Sequence, residues 1–526
     1  MLKRINFSEH EKSNVSSSTL ALDPDNKKIL FAIEDERILR RKNNLFCSDV
    51  RSWMNSKLSS LGIDNAEVID INGITNKYSN NDNEHGALVG HRISRERNDH
   101  HELHALSALC QSGFNDATIL VLDGCDRPEG SSIVLFSYED GKLIEVKRYS
   151  SEYSLGVFYG LGCLLSGFKW TDSGKLMGLS TYGTVNEDRY VPFLLINKET
   201  GEIETINGRL LQNKYINDAP SIDVDFNEQL LSCINYHGGN GLEFQSFSFK
   251  NRNLASYFQR AFEDAVFSIL EYALNNLPSR NLILSGGCAL NCTCNGKILR
   301  SKKWKNLFIP NTCDDAGNSF GIAVKDYGIK INSPFIYNKI TYPVPSEYSR
   351  RVSLEYISNL IRSGKIIAWF EGGSEYGPRA LCHRSLLGNP FDHGIPYRLN
   401  EIKNRDYWRP LAPVVLDRYF HEYFNVEKIF PVHRTMLSTE YLKRKYVGVI
   451  PSAPDGTSRP QVLFNNRYNS TLYSLMKDYN LPILINTSMN GRNEPICETP
   501  DDAIKFTSRY DDVILVFIRN NQPYIK

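Results

Sequence analysis

The chain has almost no net charge: 61 Lys and Arg against 60 Asp and Glu leave +1. That balance excludes a protein whose whole surface grips nucleic acid or anionic lipid, while allowing a local basic patch. No stretch approaches the ~20 apolar residues that span a bilayer. The first residues, MLKRINFSEHEKSNV, hold no apolar run of signal-peptide length, so the expected place is the cytoplasm, with no membrane partner. The 11 Cys are odd in number and scattered, and Cys292 and Cys294 are too close for an ordinary disulfide, so free thiols are expected. There is no repeat array and no low-complexity tract. What is there is globular, at 41% hydrophobic and 23% charged over 526 residues. That length corresponds to two to four domains at about 150 residues each.

The pattern of elements alternates. Residues 28–33, 118–123, 132–136 and 281–285 read as strands, and residues 100–111 and 256–276 as helices. The second helix spaces Phe258, Phe262, Ala265, Val266, Ile269, Leu270 and Ala273 three and four apart, as one buried face requires. Residues 331–350 carry three Pro and little periodicity and read as a linker. Beyond them come a helix near 353–363 and strands at 365–370, 446–450, 482–485 and 512–517. The expected class is layered α/β in two parts, 1–335 and 345–526.

In the first part, DHHELH places three His within five residues. On a helix, His100 and His104 lie one turn apart on one face and can ligate one metal ion. Asp123 ends a strand-like run, and the Asp314-Asp315 loop precedes a helix over 318–327, so either carboxylate could add a ligand. A hydrogen-bonded surface His cluster is the competing reading. Gly286-Gly287, between the strand NLILS and a helix, is a turn where backbone N–H groups can approach a nucleotide phosphate, with Asn291 close behind; a plain packing turn has the same sequence. Lys175 lies between two glycines, in Gly174-Lys-Leu-Met-Gly178.

In the second part, residues 379–409 hold Arg379, Arg384, Arg398, Lys403, Arg405 and Arg409 against Asp392, Glu401 and Asp406, a local +3. Guanidinium forks suit phosphate and carboxylate oxygens. Pro, Trp and Gly between them favour ordered backbone over a merely solvated charged face. The run Asn486-Thr-Ser488-Met-Asn490 follows a strand and offers hydroxyl and amide groups to the same anion.

In this order, the blocks DHHELHALSA, SLGVFYGLGCLLSGFKWTDSGKLMGLSTYG, LILSGGCALNCTCNGKI, DDAGNSFGIA, EYGPRALCHRSLL, LNEIKNRDYWRPLAPVVL, DGTSRPQ and NTSMNGRNEPICETPDDA resemble the O-carbamoyltransferase family of the nodulation (NodU) and cephamycin (CmcH) type. The resemblance covers nearly the whole chain. It implies an N-terminal actin-like (ASKHA) ATPase domain, similar to the threonylcarbamoyl-transfer enzymes, and a C-terminal YrdC-like domain. It also implies that carbamoyl phosphate and ATP yield carbamoyl adenylate, whose carbamoyl group passes to a hydroxyl of a small-molecule acceptor.

By motif position, the resemblance makes His100, His104, Asp123 and Asp315 ligands of a divalent metal, iron(II) or another, with Mg(II) on the nucleotide. Gly286, Gly287 and Asn291 fall to the nucleotide, and Arg379, Lys403, Arg405, Arg409, Arg459, Asn486 and Ser488 to carbamoyl phosphate. His101 and Lys175 are the candidate catalytic groups, His101 as the base for the acceptor hydroxyl. An oligomer is compatible with all of this, and no nucleic-acid partner is expected. The chain departs from the family pattern at Val15–Thr19, at Cys382 and His383 where Gly and Asn are usual, at Phe391 for Arg, at Ala453 for His and at Asn493 for Gly. An actin-like small-molecule kinase, a basic RNA-binding protein and a degenerate family member acting in binding are the competing readings.

Overall fold

The computed structural model describes residues 2–6, 18–23, 25–40, 48–60, 65–70, 74–79, 90–92, 100–124, 130–216, 219–244, 246–331, 334, 336–466 and 468–526. The departure at 15–17 lies outside the described residues. The chain forms two compact units, one of residues 1–14, 100–309 and 453–455, the other of 15–99, 310–452 and 456–526.

The first unit is built on a five-stranded sheet in the order Asn306–Phe308, Asn281–Ser285, Ala117–Leu122, Ser131–Glu139, Lys142–Ser150. Its first three strands pair in parallel, and Ser131–Glu139 pairs antiparallel with the neighbour on each side. Ala117–Leu122 is buried along its whole length, which is why it reads as an unbroken apolar run. The helix His100–Ser112 lays Ala105 and Ala108 on this sheet against Ile119, Val121 and Ile283. The long helix Arg252–Asn276 packs on the helices Leu155–Leu165 and Ser173–Ser180. Gly162 makes the first of these contacts possible, since a Cβ there would meet the Phe258 ring at 2.6 Å.

The second unit holds an eight-stranded mixed sheet. Its order is Arg350–Arg351, Gln522–Ile525, Val513–Arg519, Ile366–Glu371, Arg384–Gly388, Ile483–Ser488, Ala412–Leu416, Gln461–Leu463. Strand alternation divides its core. Ile366, Ala368 and Phe370 face one apolar cluster, and Ile367 and Trp369 the other. A five-stranded antiparallel sheet, Lys28–Glu34, Ser18–Asp23, Asn65–Asp70, Ile74–Ser79, Gly90–Arg92, belongs to the same unit.

The expected mixed α/β class is what is found. One expected strand is not: 446–450 forms a 3-10 turn at Arg444–Tyr446 and a single bridge from Val447 to Ile450. Gly448 sits there at φ +80°, which breaks the pleat that the β-branched residues around it favour. The Pro-rich segment after 331 is packed into the second unit through buried Tyr337, Ile340 and Tyr348. The nine described cysteines are free thiols. No helix among the described residues is long and apolar enough to cross a membrane.

Candidate active site

In the first unit, His100 and His104 do share a helix face. Asp123 follows the neighbouring strand and points its carboxylate at both. His100 Nε2 lies 2.9 Å and His104 Nε2 3.5 Å from Asp123 Oδ2, and the two Nε2 atoms are 3.2 Å apart. For metal–ligand bonds of about 2.1 Å, neighbouring ligand atoms stand about 3.0 Å apart at right angles and about 3.4 Å apart in a tetrahedron. The three atoms therefore have the spacing of one face of a coordination polyhedron. The donor set, two imidazoles and a carboxylate, suits a borderline divalent ion. Burial opposes ionisation of Asp123, yet the two imidazoles hold its carboxyl well below the usual carboxylate range.

The Gly286-Gly287 turn has a specific part here. Gly287 N–H donates to Asp123 Oδ1 at 3.2 Å, leaving Oδ2 to the imidazoles. Gly286 has φ +87°, and a Cβ on it would meet the Leu122 carbonyl oxygen at 2.1 Å, so only glycine lets the turn approach this closely. Such a backbone bond orients a ligand without touching the ion. Asn291 caps the helix Cys292–Arg300 through Cys294 N–H, and its amide pairs reciprocally with Gln259 at 3.0 Å both ways.

His101 is buried, with Nδ1 3.4 Å from Ser131 Oγ, which itself accepts from Arg148. Lys175 is ion-paired with Asp172 one turn before it, at 2.7 Å. Asp315 begins the 3-10 turn Asp315–Gly317 ahead of the helix Asn318–Tyr327, in the second unit.

In the second unit, the helix Gly394–Ile402 ends at Lys403. The Lys403 ammonium donates to Ser488 O at 2.6 Å, Ser488 Oγ at 2.7 Å, Asn490 O at 2.9 Å and Asn490 Oδ1. The strand Ile483–Ser488 ends there and the chain turns at Met489, where Asn490 N–H donates back to Ser488 O at 3.0 Å, so the turn presents oxygens of both residues to the ammonium. Arg405 donates to Asn400 Oδ1. Burial, then the positive charges of Arg409 and Arg459, push the Arg405 guanidinium down to about 9. Arg405 Nη2 is buried without a hydrogen-bond partner, and such a cationic N–H group favours an anion. Asn486 Nδ2 donates to Gln461 Oε1 at 2.7 Å and to Ala380 O at 3.1 Å, beside Arg379.

The sequence did not single out Gln461, nor Glu375, whose Oε1 accepts from the N–H groups of Leu381, His383 and Arg384. Gln461 meets Asn486 across 25 positions, and the Glu375 bonds close an irregular loop that has no periodic pattern in the sequence. Two departures from the family pattern have a backbone reason. Cys382 has φ +78° and Asn493 φ +60°, the left-handed region where glycine is at home and other residues are strained.

A family model described as the carbamoyltransferase N-terminus matches residues 89–324, and one described as the carbamoyltransferase C-terminus matches 358–520. The uncharacterized protein sll1178 of Synechocystis is 28% identical over 471 residues, covering 80% of this chain and 74% of that protein. Nodulation protein NolNO of Sinorhizobium fredii is 30% identical over 440 residues, 77% of this chain and 60% of that protein. The 3'-hydroxymethylcephem-O-carbamoyltransferase of Amycolatopsis lactamdurans is 29% identical over 268 residues, 47% of this chain and 49% of that enzyme. With both halves matched in order, the chain belongs to the carbamoyltransferase family and is an enzyme of that class.

Proposed function

We propose that the protein is an ATP-dependent O-carbamoyltransferase that takes carbamoyl phosphate as donor, passes through carbamoyl adenylate and delivers the carbamoyl group to a hydroxyl of a small molecule or sugar. The observation that carries the donor half is Arg405 Nη2, buried without a hydrogen-bond partner, on a guanidinium that also feels the like charges of Arg409 and Arg459. An enclosed cationic N–H group left unpaired favours an anion such as the phosphate of carbamoyl phosphate. In this reading Arg379 joins these arginines, Asn486 and Ser488 contact the carbamoyl end, and Lys403 holds Ser488 and Asn490 in place.

Atom balance sets the sequence of bonds. Water takes the phosphoryl group from carbamoyl phosphate, giving carbamate and inorganic phosphate. A carbamate oxygen then attacks the α-phosphorus of ATP, and pyrophosphate leaves. The acceptor hydroxyl attacks the carbamoyl carbon, AMP leaves, and the hydroxyl proton goes to a base, for which His101 is the candidate. Carbamate is a poor electrophile, and the mixed anhydride supplies the leaving group it lacks. That anhydride also requires the exclusion of further water.

In this reading His100, His104 and Asp123 would hold a divalent ion, iron(II), which would supply Lewis-acid stabilisation of phosphate and carbamoyl oxygens. Gly287 N–H fixes Asp123 for that role, Gly286 and Asn291 belong to the nucleotide side of the reading, with Mg(II) on the phosphates, and Lys175 is, with His101, a candidate catalytic group.

The experiment is a titration of purified protein with carbamoyl phosphate, followed calorimetrically, for wild type and Arg409→Ala. Loss of a charge-assisted bidentate contact is expected to weaken binding at least about tenfold. Equal affinities would overturn the assignment of the donor to this cluster.

A further inference from the structure

Within the second unit, the segment from Glu371 to Arg384 carries Arg379 and is tied down on both sides of it by two buried, oppositely charged groups. Glu375 is buried, and a single oxygen, Oε1, accepts three backbone N–H groups: Leu381 at 2.7 Å, His383 at 2.8 Å and Arg384 at 3.0 Å. Burial works against its charge, but the His383 imidazole and the Arg37 and Arg384 guanidiniums hold its carboxyl below the ordinary value.

Arg384, wholly buried, does the converse. Its guanidinium donates to the carbonyls of Glu371, Gly372 and His383 at 3.0 Å each and to Glu498 O at 3.2 Å. Three more carbonyls of the segment also accept: Gly377 O from Arg37 at 2.7 Å, Ala380 O from Asn486 at 3.1 Å and Leu381 O from Tyr337 at 2.8 Å. Gly377 sits at φ +119°, where a Cβ would meet Asn311 O at 2.7 Å, so the approach to Pro378-Arg379 admits no side chain.

We infer that Glu375 is a positioning residue for Arg379. Its one oxygen gathers the three N–H groups that follow Arg379 and so fixes where the guanidinium stands when the donor phosphate arrives. A charged group carried by a backbone bonded on both sides of it loses less freedom on binding, which is how preorganisation raises affinity. The inference rests on the reading that Arg379 contacts carbamoyl phosphate.

The test is steady-state AMP formation with carbamoyl phosphate varied, for wild type, Glu375→Gln, Arg379→Ala and the double variant. Each single change is expected to raise KM for carbamoyl phosphate by about tenfold and to leave KM for ATP within about twofold. The double variant is expected to be no worse than Arg379→Ala alone, because Glu375 acts through that side chain. Multiplying effects, an unmoved KM for carbamoyl phosphate in Glu375→Gln, or an equal rise in KM for ATP would each overturn the inference while leaving the donor site standing. If Arg379→Ala itself leaves KM for carbamoyl phosphate unchanged, the donor assignment at Arg379 fails and the inference with it. Should Glu375→Gln not fold, Glu375→Asp, which withdraws the oxygen by one methylene, is read against the same outcomes.

Discussion

Replacing Lys403 by Met separates two jobs that the sequence alone merges. The expectation from the basic cluster is a phosphate ligand. In the structure the ammonium is almost fully buried and faces four acceptors on Ser488 and Asn490. An ammonium has three N–H groups, so all are engaged. Hydrogen bonds from a charged donor contribute about 1.5–3 kcal/mol each, or roughly 4–9 kcal/mol for three. Desolvation of the ammonium opposes this by several kcal/mol.

Methionine keeps the length and apolar stem, removes the charge and leaves the acceptors unpaired. A net local loss of about 2–4 kcal/mol is the expected result. A chain of two units gives no single unfolding free energy. The assay is therefore native-state hydrogen exchange at the amides of Ile483–Ser488, where protection should fall by about thirty- to several-hundred-fold. Protection within about threefold of wild type, together with a loss of carbamoyl phosphate affinity, would refute the reasoning: the ammonium would then be a ligand group and not a clamp.

Three further outcomes follow from named residues. Purified protein should carry a divalent ion at a stoichiometry near one, and His104→Ala should lose it; metal analysis of wild type finding none after anaerobic purification would remove the ligand assignment. Asn493 is exposed at φ +60°, so Asn493→Gly should stabilise its surroundings by a few tenths of a kcal/mol and Asn493→Ala destabilise them by about 1 kcal/mol, read from native-state hydrogen exchange at the neighbouring amides. Burial raises the Glu371 carboxyl to about 7, against the hydrogen bond from Trp369. A raised folded-state value means stability is greatest below the unfolded value near 4.5 and falls as pH rises to about 7, by roughly 3 kcal/mol. Glu371→Gln should flatten that slope in pH-dependent melting, and an unchanged slope would exclude Glu371 as its source.

Much of this was legible in the chain because it is local. Asn281–Ser285 is apolar and bounded by Arg280 and Gly286, and it is a strand with those limits. DHHELH has helical spacing, and the helix places His100 and His104 on one face. YVGVI misleads because β-branched residues flank a glycine whose left-handed conformation prevents the strand. The role of Gly287 depends on Asp123, 164 positions away, and that of Glu375 on a loop that closes over its own carboxylate. The first is beyond any short window, and the second depends on an irregular loop whose sequence carries no period. Cys382 and Asn493 read as departures in the sequence, and only the backbone angles give the reason that glycine is usual there.

The central claim is that ATP is consumed to activate a carbamoyl group. It is tested most directly by the nucleotide products formed from ATP, metal ion and protein, with and without carbamoyl phosphate. The account predicts AMP and pyrophosphate in equal amounts, formed only when carbamoyl phosphate is present. Formation of ADP, or ATP loss that is indifferent to carbamoyl phosphate, would contradict it and favour a kinase.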